Sequence, residues 1–321
     1  MALTPEEMAA DAEWAQYVED NNQFAKLAKP EPVLPPAPVA KMSDALADAY
    51  GAVLQGPPLT PLSSGFVDID TEIPHFAPRQ VTMLAADSGV GKSTVATQFA
   101  LHGSAQKHGV IYFNLEMDPG MFGLRTTANF AKLPVRLNLD AEQHARFKAG
   151  LVTLARPASR IALGNRKDHR TIPAIKKFCE QAKAELDAKG FPVSLIVIDH
   201  VLEVMVSVKN DKDAEGKARA DMLKELAETF NAHVLALVHI TREGSKLGTM
   251  PTKNSLASSA WFDRAADNIM VLHQKRSPDG TFAPHTPAIL SCQKSRWGKP
   301  FRVELEYQGG MFFPWRLGGE E

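Results

Sequence analysis

The stretch Ala86-Asp87-Ser88-Gly89-Val90-Gly91-Lys92-Ser93-Thr94 decides how the rest of the chain is read. It follows the apolar run Val81-Thr82-Met83-Leu84-Ala85 and opens onto the helix-competent segment Val95-Ala96-Thr97-Gln98-Phe99-Ala100. Strand, glycine-rich turn, Gly-Lys-Ser and helix together are the context in which backbone N–H groups curl around a phosphate. Gly89 and Gly91 permit the turn, and the helix N-terminus adds the positive end of its dipole. In that frame Ala86 to Thr94 bind a nucleotide, Lys92 reaches the outer phosphates, and the Ser93 hydroxyl ligates Mg2+. Ala86 stands where the pattern begins with glycine, which requires an ordinary negative φ there. A chance Gly-Lys-Ser in a turn is the competing reading, and the flanking strand and helix signals weigh against it.

The chain has 321 residues, 44% hydrophobic and 23% charged, enough to bury a core in one large or two modest domains. Its net charge of -1 is unevenly spread. Residues 1–60 hold nine acidic residues and three lysines, whereas the remainder holds 33 basic and 28 acidic residues. A mildly basic body permits a nucleic-acid partner without requiring one. Cys179 and Cys292 are too few for a disulfide framework or a thiolate metal site. The acidic N-terminus lacks the form of a signal peptide, and no apolar run approaches the roughly 20 residues that span a bilayer. A soluble, cytoplasmic protein without a membrane partner is expected.

Residues 1–60 read as an acidic, proline-rich tail, with helices expected over 5–28 and 42–54 around Pro30-Glu31-Pro32-Val33-Leu34-Pro35-Pro36-Ala37-Pro38. A partner-binding tether and a tail without a partner fit this composition equally. From Ser64 onward, strand and helix signals alternate as in a parallel α/β sheet. Strands are expected at Val81–Ala85, Val110–Leu115, Arg160–Leu163, Val193–Asp199, His233–His239 and Asn268–His273. Helices are expected at 92–107, 119–132, 141–155, 171–188 and 215–231. Ala288–Gln293, Arg302–Tyr307 and Met311–Trp315 close the chain as β-hairpins, with turns at Trp297-Gly298-Lys299-Pro300 and Gln308-Gly309-Gly310.

Several carboxylates and bases stand where such a sheet binds ligands, at the C-terminal ends of its strands. Glu116 follows Val110–Leu115 and can orient and deprotonate an attacking water. The alternative, capping the helix that begins at Pro119, suits Asp118 better. Asp199 ends the buried run Val193–Ile198 and can hold the hydration shell of Mg2+ opposite Ser93. His239 ends the next strand and can hydrogen-bond a γ-phosphate or the attacking water, although a lone histidine there is more often structural. Two polar stretches follow these last strands, 207–219 and 241–254. Their Lys209, Lys212, Lys217, Arg219, Arg242, Lys246 and Lys253 can neutralise nucleic-acid phosphates or simply face solvent. Lys294 and Arg296 share one face of a strand and, in a ring or filament, can reach a neighbour's γ-phosphate. Arg296 stacked on Trp297, or left as surface charge, is the alternative.

Together these residues resemble the motor domain of replicative hexameric helicases of the DnaB-like family and its phage relatives. The resemblance spans about residues 62–315. Ser64-Gly65-Phe66-Val67-Asp68-Ile69-Asp70 is similar to that family's opening motif. Leu115-Glu116-Met117 with Arg125 matches its catalytic-glutamate segment, and Leu195–Asp199 matches its magnesium strand, with His200 where an aromatic usually stands. Leu237-Val238-His239 resembles its sensor motif, Leu256–Ala260 its DNA-side motif, and Lys294 with Arg296 its trans-acting pair. The sequence departs from the family in lacking a Gly-Gly within Thr71–Gln80 and in carrying Ala257 and Ser258 for an Arg-Gly pair.

The resemblance implies an α/β fold: a RecA-like P-loop NTPase core, a mostly parallel central sheet flanked by helices, and a C-terminal β-hairpin extension. It implies a motor over residues 61–321 that uses ATP and Mg2+ and adds Arg125 to the nucleotide site. It further implies a homo-hexamer on single-stranded DNA, with a primase or loader as the partner for residues 1–60. A RecA- or RadA-like recombinase filament and an ATP-switched loader are the alternatives that the same core allows.

Overall fold

The structure is a computed structural model that describes residues 62–73, 76–208, 211–241, 250–256, 259–275 and 286–314, besides Met42. The chain divides into two units, Met1–Pro58 and Leu59–Glu321. Met42, helical and exposed, is described in the first. The helices expected over 5–28 and the rest of 42–54 lie outside the described residues.

In the second unit the strands are β1 (Val81–Ala86), β2 (Gly109–Asn114), β3 (Ile161–Asn165), β4 (Val193–Asp199), β5 (His233–His239), β6 (Asn268–Gln274), β7 (Ala288–Ser295), β8 (Phe301–Gln308) and β9 (Met311–Pro314). They form one sheet in the order β3-β2-β4-β5-β1-β6-β7-β8-β9. Pairing is parallel from β3 through β6 and antiparallel from β6 through β9. The helices are α1 (Val67–Glu72), α2 (Lys92–Ala105), α3 (Pro119–Phe130), α4 (Ala141–Ala158), α5 (Ile172–Ala188), α6 (Lys212–Phe230) and α7 (Ser259–Ala265). This is the α/β architecture expected from the sequence, antiparallel extension included.

The central strands read as unbroken apolar runs because both of their faces are covered. Alternate side chains enter two separate cores. Met83, Ile111, Phe113, Ile196, Ile198, Val234 and Ala236 pack with Ile175 and Cys179 of α5, Leu223 and Leu226 of α6, and Phe262 of α7. Leu84, Tyr112, Leu195, Val197, Leu235 and Met270 pack on the other face with Val95 and Phe99 of α2, Ile69 of α1, and Phe312 of β9. Both cysteines are buried and free, and burial pushes each thiol up to about 12.

Helix starts follow local capping chemistry. Asp118 accepts hydrogen bonds from Gly120 N and Met121 N, with Pro119 in the first turn. Asp140 and Gln143 form a reciprocal capping box on α4. Asp211 accepts from Asp213 N and Ala214 N, so α6 begins at Lys212, three residues before the expected 215. The stretch 207–219 is therefore helix over most of its length and not a loop. Two helices were not foreseen. With six and seven residues, α1 and α7 are too short for an amphipathic period to stand out.

Candidate active site

Strand order and register bring the phosphate loop and the candidate carboxylates to one edge. Ala86 at the end of β1 pairs with His239 at the end of β5, and Asn114 at the end of β2 pairs with Asp199 at the end of β4. Because β2, β4, β5 and β1 are consecutive neighbours, their C-terminal ends present Glu116, Asp199, His239 and the loop Asp87–Gly91 side by side.

Ala86 is the last residue of β1, so its methyl group sits on extended backbone and the missing glycine costs nothing. Gly89 and Gly91 adopt φ of +79° and +111°, the left-handed region that L side chains avoid. A Cβ at Gly91 would also lie 2.7 Å from Phe312 Cε2. That ring is fixed from α2, where Gln98 Nε2 donates to Phe312 O and Gln98 Oε1 accepts from Phe312 N, both at 2.9 Å. The C-terminal extension therefore buttresses the phosphate loop.

Lys92 is buried, and burial lowers its pKa against the opposing pull of Asp199, Glu116 and Asp87. Its Nζ lies 3.2 Å from His239 Nδ1. Asp199 is wholly buried. Burial raises its pKa, opposed by a hydrogen bond from Ser93. Asp199 Oδ2 accepts from Tyr112 Oη at 3.0 Å, while Asp199 Oδ1 and Thr94 Oγ1 are buried without a partner. An unfilled buried oxygen costs free energy, and Asp199 Oδ1 with the Ser93 hydroxyl beside it is an oxygen donor set of the kind that hydrated Mg2+ requires. The residues present thus fit an Mg2+–nucleotide complex.

Glu116 Oε1 lies 3.4 Å from both His200 Nε2 and His239 Nε2. Hydrogen bonds from His200 and His239 hold the Glu116 carboxyl well below the usual carboxylate range. Asp118 takes the capping role, which leaves Glu116 free of it. Arg125 on α3 lines a cavity with Ser93, Thr94 and Gln98, and its Nη1 lies 3.8 Å from Met117 Sδ.

Lys294 and Arg296 lie toward the opposite ends of the parallel strands. Lys294 pairs with Ile269 in β6, and Arg296 N donates to Asp267 O, level with Val81. The length of β1, about 17 Å at strand rise, therefore separates Arg296 from its own phosphate loop. Arg296 does not meet Trp297 in the way the sequence allowed. Its Nη1 pairs with Asp267 Oδ1 at 3.0 Å, and its side chain stays 49% exposed. Lys294 Nζ donates to Asp263 O.

The candidate nucleic-acid contacts divide. Lys209, Arg242 and Lys246 lie outside the described residues. Lys212 and Lys217 are on α6, with Lys217 paired to Asp221 at 2.6 Å. Arg219 is corrected to a structural role. Its side chain is only 12% exposed, Nε donates to Val204 O, and Nη1 pairs with Glu215. Lys253 sits in a helical turn and pairs with Asp263 at 3.1 Å.

Sequence reasoning missed Tyr112, Phe312 and the contact of His200 with Glu116. Adjacency to Asp199 was the one available signal for His200. Tyr112 and Phe312 read as core, and only the folded chain brings them to the site.

Residues 61–313 match the family of DnaB-like helicase C-terminal domains. The replicative DNA helicase DnaB of Leifsonia xyli subsp. xyli is 26% identical over 266 residues, 78% of this chain and 55% of that protein. The chain thus spans about half the length of the curated relatives it matches. Among solved structures, an isolated ATPase domain superposes with a TM-score of 0.75 at 19% identity, covering 87% of this chain and all of that one. A DnaB-like replicative helicase, described together with its interactions with primase, superposes equally well at 20% identity, covering 86% of this chain and 69% of its own.

Proposed function

The chain belongs to the family of DnaB-like helicase C-terminal domains, and on that premise we propose that it is the ATP-hydrolysing motor of a replicative DNA helicase. The motor works as a ring, a hexamer in this reading, that moves along single-stranded DNA and separates duplex. One observation supports this above the others. Lys92, Asp199, Glu116 and His239 converge at one edge of the sheet while Lys294 and Arg296 lie at the other.

Lys92 and the loop N–H groups hold the outer phosphates, with Arg125 alongside. Ser93 and the free Oδ1 of Asp199 hold Mg2+. When bound, that ion screens phosphate charge and fixes the phosphates in line for attack. Glu116, kept ionised by its two histidines, orients the water and takes its proton. His239 touches both Lys92 and Glu116, so it registers whether a γ-phosphate has drawn Lys92 away. Lys294 and Arg296, too far from their own loop, complete the site of the next subunit.

Lys209, Lys212, Lys217, Arg242, Lys246 and Lys253 contact the strand in this reading. Residues 1–60 form a segment distinct from the motor at 61–321 and meet a primase or loader. The protein is cytoplasmic. Among the described residues no helix is long and apolar enough to cross a membrane. The test is strand separation of a tailed duplex with Mg2+ and ATP, alongside hydrolysis with and without single-stranded DNA. Hydrolysis indifferent to DNA, with no unwinding, would overturn the motor reading.

A further inference from the structure

We propose that Glu116, His200 and His239 form a binding site for a zinc-class divalent cation, distinct from the Mg2+ position, which silences the motor when filled. The silencing rests on the function proposed above; the binding itself does not.

The donor set is two imidazoles and one carboxylate, a combination that zinc-class ions take and that Mg2+, which favours all-oxygen shells, does not. One ligand atom from each residue lies within 4.8 Å of the others. Both contacts of the histidines with Glu116 Oε1 measure 3.4 Å. That is long for a hydrogen bond, whose usual N···O span is about 2.7–3.2 Å. It matches the edge of a tetrahedron with metal bonds of about 2.0–2.1 Å, which is about 3.3 Å. The imidazole rings stand edge to face with centroids 4.4 Å apart, and their shared contact with Glu116 Oε1 brings both Nε2 atoms to one point.

The far nitrogens decide when the site can fill. His200 is 94% buried by residue, and its Nδ1 has no partner. Glu116 alone bears on its tautomer, holding the hydrogen on Nε2, and a cation at Nε2 shifts that hydrogen to Nδ1, where no donor opposes it. His239 is constrained. The Lys92 ammonium donates to its Nδ1, which leaves the hydrogen on Nε2. A metal at Nε2 moves that hydrogen to Nδ1, opposite Lys92, so Lys92 must turn away. Phosphate is the partner that draws it off, and the cation therefore competes with water activation in the nucleotide-loaded state. A filled site also takes up the Glu116 oxygen that would accept the proton from water.

The experiment titrates the metal-free 321-residue chain with Co2+ in excess Mg2+ and follows the visible d–d absorption of a four-coordinate ion. One Co2+ per chain is expected, displaced by Zn2+, with binding about tenfold or more weaker in His200→Ala and in Glu116→Gln. Glu116→Gln keeps the shape of the side chain and so separates loss of a ligand from loss of fold. Lys92→Ala, which frees Nδ1 of His239, should bind Co2+ at least as tightly as the wild type. Micromolar Zn2+ should inhibit ATP hydrolysis in the wild type. No visible band, or a band that survives both ligand substitutions, would overturn the site. Binding by a protein that hydrolyses no ATP would instead fault the motor reading and leave the site standing.

Discussion

Lys92 Nζ lies 3.2 Å from His239 Nδ1, and Nε2 of the same imidazole lies 3.4 Å from Glu116 Oε1. One ring thus joins the lysine proposed to bind phosphate to the carboxylate proposed to activate water. In the proposed function, phosphate competes for Lys92, so nucleotide binding should break the first contact and release the ring to the γ-phosphate. His239→Ala should lower kcat for ATP by about a hundredfold while changing KM by less than about threefold. Steady-state kinetics decide this. A raised KM with unchanged kcat would assign His239 to binding alone.

Glu116 is the group whose loss should separate binding from hydrolysis. The two histidines keep it ionised, so Glu116→Gln removes a base without removing bulk. Hydrolysis should fall by about 10²–10⁴-fold. Affinity for a fluorescent ATP analogue should stay within a few fold, because Lys92, Ser93 and Asp199 are untouched. Equal loss of binding would place Glu116 in the phosphate cradle.

Arg296 shares Asp267 with two other donors. Asp267 Oδ2 accepts from Val81 N and Lys224 Nζ, each at 2.9 Å, while Oδ1 pairs with Arg296. Arg296→Ala therefore leaves a buried carboxylate still partnered, and the fold should lose no more than about 1 kcal/mol. Hydrolysis by the pure variant should fall about a thousandfold. Mixing it with Lys92→Ala subunits should restore part of the rate, because the intact loop of one then meets the intact arginine of the other. No recovery in a mixed assembly would place the function of Arg296 within its own subunit.

The parallel core was legible because each central strand is an apolar run ending in a residue of different character, such as Asp199 or His239. The phosphate loop was legible because its geometry depends on local glycines. Pairings between distant segments were not. Arg219 carries the same charge as Lys217, and nothing local says that it turns inward to Val204 O and Glu215. Phe312 reads as one more β-strand aromatic, yet it is the ring that closes on Gly91. His200 reads as a substitution for an aromatic, and its bearing on Glu116 exists only once β2 and β4 lie side by side.

Gly91 is accordingly the position in the loop least able to carry a side chain. Its φ of +111° is unfavourable for alanine, and the added methyl would press on a ring held by two hydrogen bonds. Gly91→Ala should weaken nucleotide affinity by tenfold or more, about 1.4 kcal/mol. The doubly substituted Gly91→Ala, Phe312→Ala protein removes the clash and keeps the φ penalty, so it should regain part of the affinity. Isothermal titration with ADP and Mg2+ measures both. No regain would leave the backbone angle as the whole cause.

His233 sets an acid limit on stability. Nδ1 donates to Ala77 O at 2.9 Å, and Nε2 lies 3.0 Å from Thr82 Oγ1, which itself accepts from Asn268 Nδ2. The Thr82 hydroxyl therefore donates its own hydrogen to Nε2, and the ring is neutral with both nitrogens satisfied. Burial lowers its pKa from 6.5 to about 4, against the opposing hydrogen bond to Ala77 O and the charge of Asp267. The unfolded chain then binds a proton that the native chain refuses, so this contribution is complete above about pH 6.5 and fades as pH falls toward 4. The loss over that window is on the order of 3 kcal/mol. Urea unfolding at neutral pH and near pH 4 should show the wild type losing about that much more than His233→Gln, whose amide does not titrate. Parallel losses in the two proteins would mean that the buried imidazole is not what limits stability in acid.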